Sequence, residues 1–450
     1  MALKTRLSDA LEIKMEIKNL ELKIGELSAA GAKLGESIAA RNEAVFRESS
    51  EVEAAEQKIK MLKGEMEPLK TDPEHRHRVQ EGVKLENEVE TKSRNVSELN
   101  KKIESLHKAG STARTISWPV IKITERGEKM IYLTRKIPEP ALQYLQERFA
   151  CRFWEEENIP VPREVLRREV GEAEGLYCML SDRIDREVID AAPRLKVIST
   201  MAVGFDNIDV EYARQRGIIV THTPGVLTEA TADLAFALLM AAGRRLIEAN
   251  RAIYRGEWKT WGPLFMAGRD IYGASLGIIG LGRIGQAMAR RARGFAMKVY
   301  YFSRRRNMEL EEKEGITYLP LEELLKSCDF VSLHVPAIPE TTGMIGPKEL
   351  AVMKPTAILI NTARGTVVDE NALYQALKSG TIYAAGLDVF AVEPVDPNHP
   401  LLQLPNVVAL PHIGSASIET RYKMARLAAE DLLRVLNGEQ PRFPVPGGLT

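Results

Sequence analysis

The chain has 450 residues, and its 62 lysines and arginines are matched by 62 aspartates and glutamates. That length suits two or three domains with large cores, and the even charge lacks the basic excess that points to nucleic acid. Its three cysteines, Cys151, Cys178 and Cys328, show no Cys-x-x-Cys spacing, which argues against a disulfide framework or a metal site and for a reducing, cytoplasmic setting. Residues 1–9 lack the apolar segment of a signal peptide, and no run is long and apolar enough to span a membrane.

Residues 1–108 carry a heptad pattern. Ile17, Ile24, Gly31, Ile38, Val45, Val52, Ile59 and Met66 stand seven apart, and Leu20, Leu27, Leu34, Ala55, Leu62 and Leu69 hold the second seam. Arg41 and Glu48 interrupt that seam. The pattern predicts a coiled coil about 100 Å long. Thr71-Asp-Pro-Glu breaks it, and a second helix follows through Val89, Val96 and Ile103. A hairpin and a rod paired with another chain are equally open, and heptads do not name the partner. Residues 109–129 form a polar linker. Glu125-Arg-Gly-Glu-Lys, just before Met130, uses residues with purine-rich codons, as a translated ribosome-binding site would. The globular part is therefore expected to be complete from Met130, with residues 1–129 joined by fusion or start-site choice.

From Met130 strand and helix patterns alternate. Strands are expected at 130–134, 175–180, 196–201, 217–221, 276–279, 298–302, 330–334, 357–361, 385–388 and 406–410. Helices are expected at 186–192, 228–246, 286–293 and 415–436. Such alternation gives parallel sheets with right-handed crossovers. The fold class is α/β: two doubly wound, Rossmann-like domains behind an all-α coiled coil.

Leu276-Gly-Ile-Ile-Gly-Leu-Gly-Arg-Ile-Gly285 reads as a buried strand, a tight turn and a helix start. Gly280, Gly282 and Gly285 have the G-x-G-x-x-G spacing of a dinucleotide-binding turn. The first allows the bend, the second lets a pyrophosphate approach the backbone, and the third lets the helix pack on the strand. At the end of the next strand, where an acidic residue would bind the ribose hydroxyls, stand Ser303, Arg304, Arg305 and Arg306. Guanidinium groups match a 2′-phosphate, so NADP(H) is expected to be preferred, with NAD(H) possible.

Three further polar groups lie just past expected strand ends: Asn361-Thr-Ala-Arg-Gly365, Asp388-Val-Phe-Ala-Val-Glu-Pro394 and Pro411-His-Ile-Gly-Ser415. Ligands bind there in doubly wound sheets. Arg364 is expected to hold a substrate carboxylate, His412 to donate a proton, and Glu393 to orient His412 and favour its charged form. His222, His334 and His399 read as structural.

With the glycine turn, these motifs resemble the D-isomer-specific 2-hydroxyacid dehydrogenases over about residues 130–445. Leu180-Ser-Asp-Arg-Ile-Asp185, Ala202-Val-Gly-Phe-Asp-Asn-Ile-Asp209, Ala230-Thr-Ala-Asp-Leu-Ala-Phe236 and Trp258-Lys-Thr-Trp-Gly-Pro-Leu264 look closest to the glyoxylate/hydroxypyruvate reductases. The resemblance implies reduction of a small 2-keto acid, glyoxylate to glycolate or hydroxypyruvate to D-glycerate. It implies that Leu180 lines the pocket and that Val203 and Gly204 offer N–H groups to the substrate carboxylate. It further implies that Arg283, Ile284, Thr231, Asp388 and Gly414 join the cofactor site, and that Trp261 reaches the neighbouring subunit of a homodimer. Residues 130–226 with 414–450 would form the substrate-binding domain and 227–413 the dinucleotide-binding domain. Phosphoglycerate or phosphite oxidation, or a dinucleotide-sensing scaffold of corepressor type, are the alternatives. The family gives no expectation for residues 1–129.

Overall fold

The structure, a computed structural model, describes residues 130–446. The coiled coil expected over 1–108 and the linker over 109–129 lie outside the described residues. The described chain builds two all-parallel sheets. The first contains β1 (Met130–Leu133), β2 (Ala150–Phe153), β3 (Gly175–Cys178), β4 (Val197–Thr200) and β5 (Ile219–Thr221), in the order β2-β1-β3-β4-β5. The second contains β6 (Ser275–Ile279), β7 (Lys298–Phe302), β8 (Thr317–Tyr318), β9 (Phe330–Leu333), β10 (Ile358–Asn361), β11 (Ala384–Leu387) and β12 (Val407–Ala409). Its order is β12-β11-β10-β9-β6-β7-β8. Strand order reverses between β1 and β3 in the first sheet and between β6 and β9 in the second. These switch points open crevices at the carboxyl ends of the strands.

Side-chain alternation explains why both faces of each sheet are covered. In the first sheet Ile131, Leu133, Tyr177 and Val197 face the terminal helix Ile418–Leu436. Tyr132, Leu176, Cys178 and Ile198 face the opposite way, with Val188 and Ile189 of the Arg186–Asp190 helix. In the second sheet Val331, Leu333, Leu359 and Leu387 form one core. Leu276, Ile278, Tyr301, Phe330 and Ile360 form the other, against Ala235, Leu238 and Leu239. Those last residues belong to the Thr228–Gly243 helix, which carries the chain from the first sheet to the second. The terminal helix brings it back.

The helix expected over 228–246 stops at Gly243. Arg245 then takes a left-handed backbone (φ +52°), and a separate helix runs Leu246–Tyr254. The terminal helix begins at Ile418 rather than 415, because Ser417 accepts a cap bond from the Thr420 N–H. The helix after the glycine turn starts at Arg283, directly behind Gly282, rather than at 286. The edge strands β2 and β8 carry no alternation that marks them in the sequence.

Candidate active site

The glycine turn leaves β6 at the switch point of the second sheet. Gly280 has φ +98°, and a Cβ there would lie 2.6 Å from the His334 carbonyl oxygen. A Cβ on Gly285 would meet the Gly280 carbonyl oxygen at 2.2 Å. Both glycines are demanded by the protein's own packing. Gly282 differs, since nothing lies within 4 Å of a Cβ built on it. Open space therefore stands over the N-terminus of the Arg283–Arg293 helix, where backbone N–H groups favour a phosphate. Arg283 is exposed beside it, while Ile284 packs toward the first sheet's core. The turn fits a dinucleotide.

At the end of β7 the arginines divide. Arg306 is held by Glu311 through two bonds of 2.8 Å. Arg304 and Arg305 are exposed, with no ion pair among the described residues, and the Ser303 hydroxyl bonds to the Arg305 carbonyl. Two guanidinium groups remain available at this strand end.

Arg364 lies three residues beyond β10. Asn361 sets its loop: the amide donates to the Arg364 carbonyl (2.9 Å) and the side-chain oxygen accepts from the Ala363 N–H (3.0 Å). The guanidinium reaches the first sheet's loops and pairs with Asp206, Nε lying 3.0 Å from Oδ1. It lies so close to Gly204 that a Cβ there would stand 1.6 Å from Nη2. The backbone N–H groups of Val203 and Gly204 make no hydrogen bond within the described residues. Their loop is tied down on both sides. The His222 Nδ1–H donates to the Val203 carbonyl (2.8 Å), and the Asn207 amide donates to the carbonyls of Met179 (3.1 Å) and Asp182 (2.7 Å). Leu180, between those two acceptors, is half-buried at the same strand ends. Burial lowers the His222 pKa, with the Val203 carbonyl opposing.

His412 follows β12 in a left-handed backbone (φ +54°), unusual for a residue with a Cβ. Asp388, 1% exposed at the end of β11, holds this turn. Its carbonyl accepts from the His412 N–H (2.9 Å), and its carboxylate accepts from the N–H groups of Ile413 (2.8 Å) and Gly414 (2.7 Å). Burial raises the Asp388 pKa, the N–H bonds and the His412 charge partly opposing. Glu393 Oε2 lies 2.7 Å from His412 Nδ1, and its Oε1 accepts from the Phe390 N–H (2.9 Å). Burial works against the Glu393 charge. The bonds from His412 and Phe390, with the charges of His412 and Arg364, outweigh it and hold this carboxyl below its usual range. With Nδ1 engaged, Nε2 of His412 is the ring atom free to exchange a proton.

Arg364, Glu393 and His412 thus meet at one set of strand ends, as do Val203, Gly204 and Leu180. Thr231 is buried next to Gly414. Trp261 is not brought to this site within the chain: it is 80% exposed, and its loop is exposed along most of its length. Asp206, Asn207 and His222 belong to the arrangement; the first two lie in the Ala202–Asp209 stretch that carries the resemblance but had no role assigned there, and His222 read as structural. Asp206 lies 158 positions from Arg364, beyond the reach of any spacing rule. No cluster of histidine, cysteine and carboxylate groups among the described residues suits a metal ion.

A family model described as D-isomer specific 2-hydroxyacid dehydrogenase, NAD binding domain, matches residues 236–414. A protein named glyoxylate reductase from Korarchaeum cryptofilum is 53% identical over 312 residues, 69% of this chain and 94% of the relative. A crystal structure of a Thermus thermophilus protein is similar with a TM-score of 0.66 and 48% identity, covering 70% of this chain and 99% of the other. The NADPH-dependent glyoxylate/hydroxypyruvate reductase of Sinorhizobium meliloti, solved with NADP and malonate, gives a TM-score of 0.63 and 34% identity over 71% of this chain and 97% of the other. With the glycine turn and the arginine, glutamate and histidine gathered at one set of strand ends, these relations mean that the chain belongs to the D-isomer-specific 2-hydroxyacid dehydrogenases.

Proposed function

We propose that the chain reduces glyoxylate and hydroxypyruvate, with NADPH preferred over NADH. The observation that carries this reading is the meeting of two unused backbone N–H groups, at Val203 and Gly204, with the Arg364 guanidinium. That is a receptor for a small carboxylate. His412, paired with Glu393, stands at the neighbouring strand ends. The names of the relatives from Korarchaeum cryptofilum and Sinorhizobium meliloti point the same way.

In this reading the bound nicotinamide supplies the hydride to the keto carbon. The protein does the rest. Val203, Gly204 and Arg364 bind the carboxylate, and Arg364 polarises the carbonyl. Leu180 limits the room beside it. His412 donates the Nε2 proton to the carbonyl oxygen, and Glu393 keeps the ring aimed and balances its charge. Gly280, Gly282, Arg283, Ile284 and Gly285 would hold the pyrophosphate, Ser303, Arg304 and Arg305 the adenosine end, and Thr231, Asp388 and Gly414 the nicotinamide end. Residues 130–226 with 414–450, the last four of which lie outside the described residues, serve as the substrate-binding domain and 227–413 as the dinucleotide-binding domain.

The chain acts as a homodimer. Supporting this, nine of the fourteen exposed large hydrophobics among the described residues fall between Leu246 and Tyr272, Trp258 and Trp261 included. Apolar side chains exposed in such number along one segment favour a partner surface. Three buried free cysteines suit a reducing cytoplasm.

The test is turnover of a panel of 2-keto acids by the full chain with NADPH and with NADH. Fastest turnover of glyoxylate or hydroxypyruvate with NADPH is expected. Tight cofactor binding without turnover of any keto acid would overturn the reading in favour of a dinucleotide sensor.

A further inference from the structure

Asp206 has no part in the chemistry above, yet it makes the closest ionic contact of the proposed substrate anchor. An arginine has five N–H donors, arranged along three edges of a flat fork. In Arg364 two edges are taken. Along one, Nε donates to Asp206 Oδ1 (3.0 Å) and Oδ2 (3.3 Å), with Nη2 3.0 Å from Oδ1. Along another, Nη1 donates to the Ala363 carbonyl (2.8 Å). The remaining donors, on Nη1 and Nη2, have no partner among the described residues. They form the outer edge of the fork, whose two donors can reach one carboxylate oxygen and the adjacent keto oxygen of a 2-keto acid.

We infer that Asp206 is a positioning residue: it clamps Arg364 by the inner edge so that the outer edge is presented to the carboxylate and keto oxygens of the substrate beside Val203 and Gly204. This rests on the reading of Arg364 as the substrate anchor. Three observations carry it. The Arg364 guanidinium seats on Gly204, and a Cβ there would also approach Asp206 Oδ1 at 3.0 Å, so the three groups share one small space. Asp206 is followed by Asn207, whose two bonds fasten the loop to the Leu180 segment. The carboxylate is therefore borne on a braced turn. Finally, the pair joins a loop of the first sheet to a loop of the second, so it aligns the anchor contributed by one with the N–H groups contributed by the other.

A pair this open to water, with the Asp206 side chain 46% exposed, adds little to stability. Its loss is expected to leave the melting temperature within a few degrees. The effect belongs in substrate affinity, because a guanidinium released from its inner edge loses its orientation toward the substrate in ground and transition states alike.

The experiment is steady-state kinetics of the full chain as wild type, Asp206→Ala and Asp206→Asn, varying glyoxylate and NADPH separately, with thermal unfolding in parallel. Asp206→Ala is expected to raise the glyoxylate KM about tenfold or more, equivalent to about 1.4 kcal/mol. Its kcat should fall by less than about threefold, and its NADPH KM should not change. Asp206→Asn keeps one acceptor oxygen for Nε and is expected to show a smaller rise. An unchanged glyoxylate KM overturns the inference. A lowered one does too, since it would make Asp206 a competitor for the anchor. Equal rises in both KM values with a collapsed melting temperature would make Asp206 merely structural. If Asp206→Ala does not fold, the glyoxylate KM of Asp206→Asn decides. Should wild type turn over no keto acid, the reading of Arg364 fails instead.

Discussion

Gly204→Ala is the sharpest steric test of the substrate receptor. An alanine Cβ would stand 1.6 Å from Arg364 Nη2 and 2.7 Å from Cζ, whereas ordinary contact begins at 3.4 Å. The guanidinium must therefore retreat by about 3.4 − 1.6 = 1.8 Å. The backbone at 204 is not left-handed, so alanine itself is tolerated. What moves is the end of a flexible side chain in a half-exposed ion pair, and the stability cost should stay below about 1 kcal/mol. Function should suffer far more. Charge-assisted hydrogen bonds contribute about 1.5–3 kcal/mol each, so a displaced fork is expected to lose roughly 3 kcal/mol, on the order of 100-fold in kcat/KM for glyoxylate. The assay is NADPH consumption with glyoxylate varied, alongside the thermal unfolding midpoint. Wild-type kcat/KM in a folded Gly204→Ala protein would refute the placement of the anchor over Gly204. A large drop in the midpoint would refute the claim that only a side-chain end is displaced.

Four other outcomes follow from the structure. Gly282→Ala should fold as wild type and raise the NADPH KM, since nothing surrounds the new methyl. Gly285→Ala should lose stability, because its Cβ meets the Gly280 carbonyl at 2.2 Å; equal midpoints for the two variants would contradict this. Replacing Arg304 and Arg305 together by glutamine should raise the KM for NADPH far more than for NADH, and equal changes would remove the 2′-phosphate role. Burial lowers the His334 pKa from 6.5 to about 4, so the folded protein keeps this ring neutral. Between those two pH values the unfolded chain binds a proton that the folded chain refuses. Stability is thus fully present above pH 6.5 and falls as pH drops toward 4, by at most about 3 kcal/mol. Denaturant unfolding of wild type and His334→Gln at pH 7 and pH 4 should show the variant losing less; a pH-independent difference would count against a buried neutral ring.

The sequence by itself determined the local features of this protein. The glycine spacing around Gly280, the arginines after β7 and the polar residues after apolar runs are all short-range patterns. A strand end beside a ligand crevice imposes such patterns directly on the chain. That is why Arg364, Glu393 and His412 were legible as a set, and why β7 was expected with the bounds it has. Element ends were less legible: the stop at Gly243 depends on the left-handed turn at Arg245, and the edge strands β2, which carries Arg152, and the two-residue β8 lack the continuous apolar run that marked the other strands. Only the tertiary structure decided who meets whom across the cleft. Asp206 faces Arg364, Asn207 braces the Leu180 loop, and the Asp388 carboxylate holds the turn that carries His412. It also separated Arg306, committed to Glu311, from Arg304 and Arg305, and Gly282, open to a ligand, from Gly280 and Gly285, closed on their neighbours. Those distinctions rest on distances between residues far apart in the chain. No periodicity encodes such distances, because they are set by how two independently wound sheets bring their strand ends together.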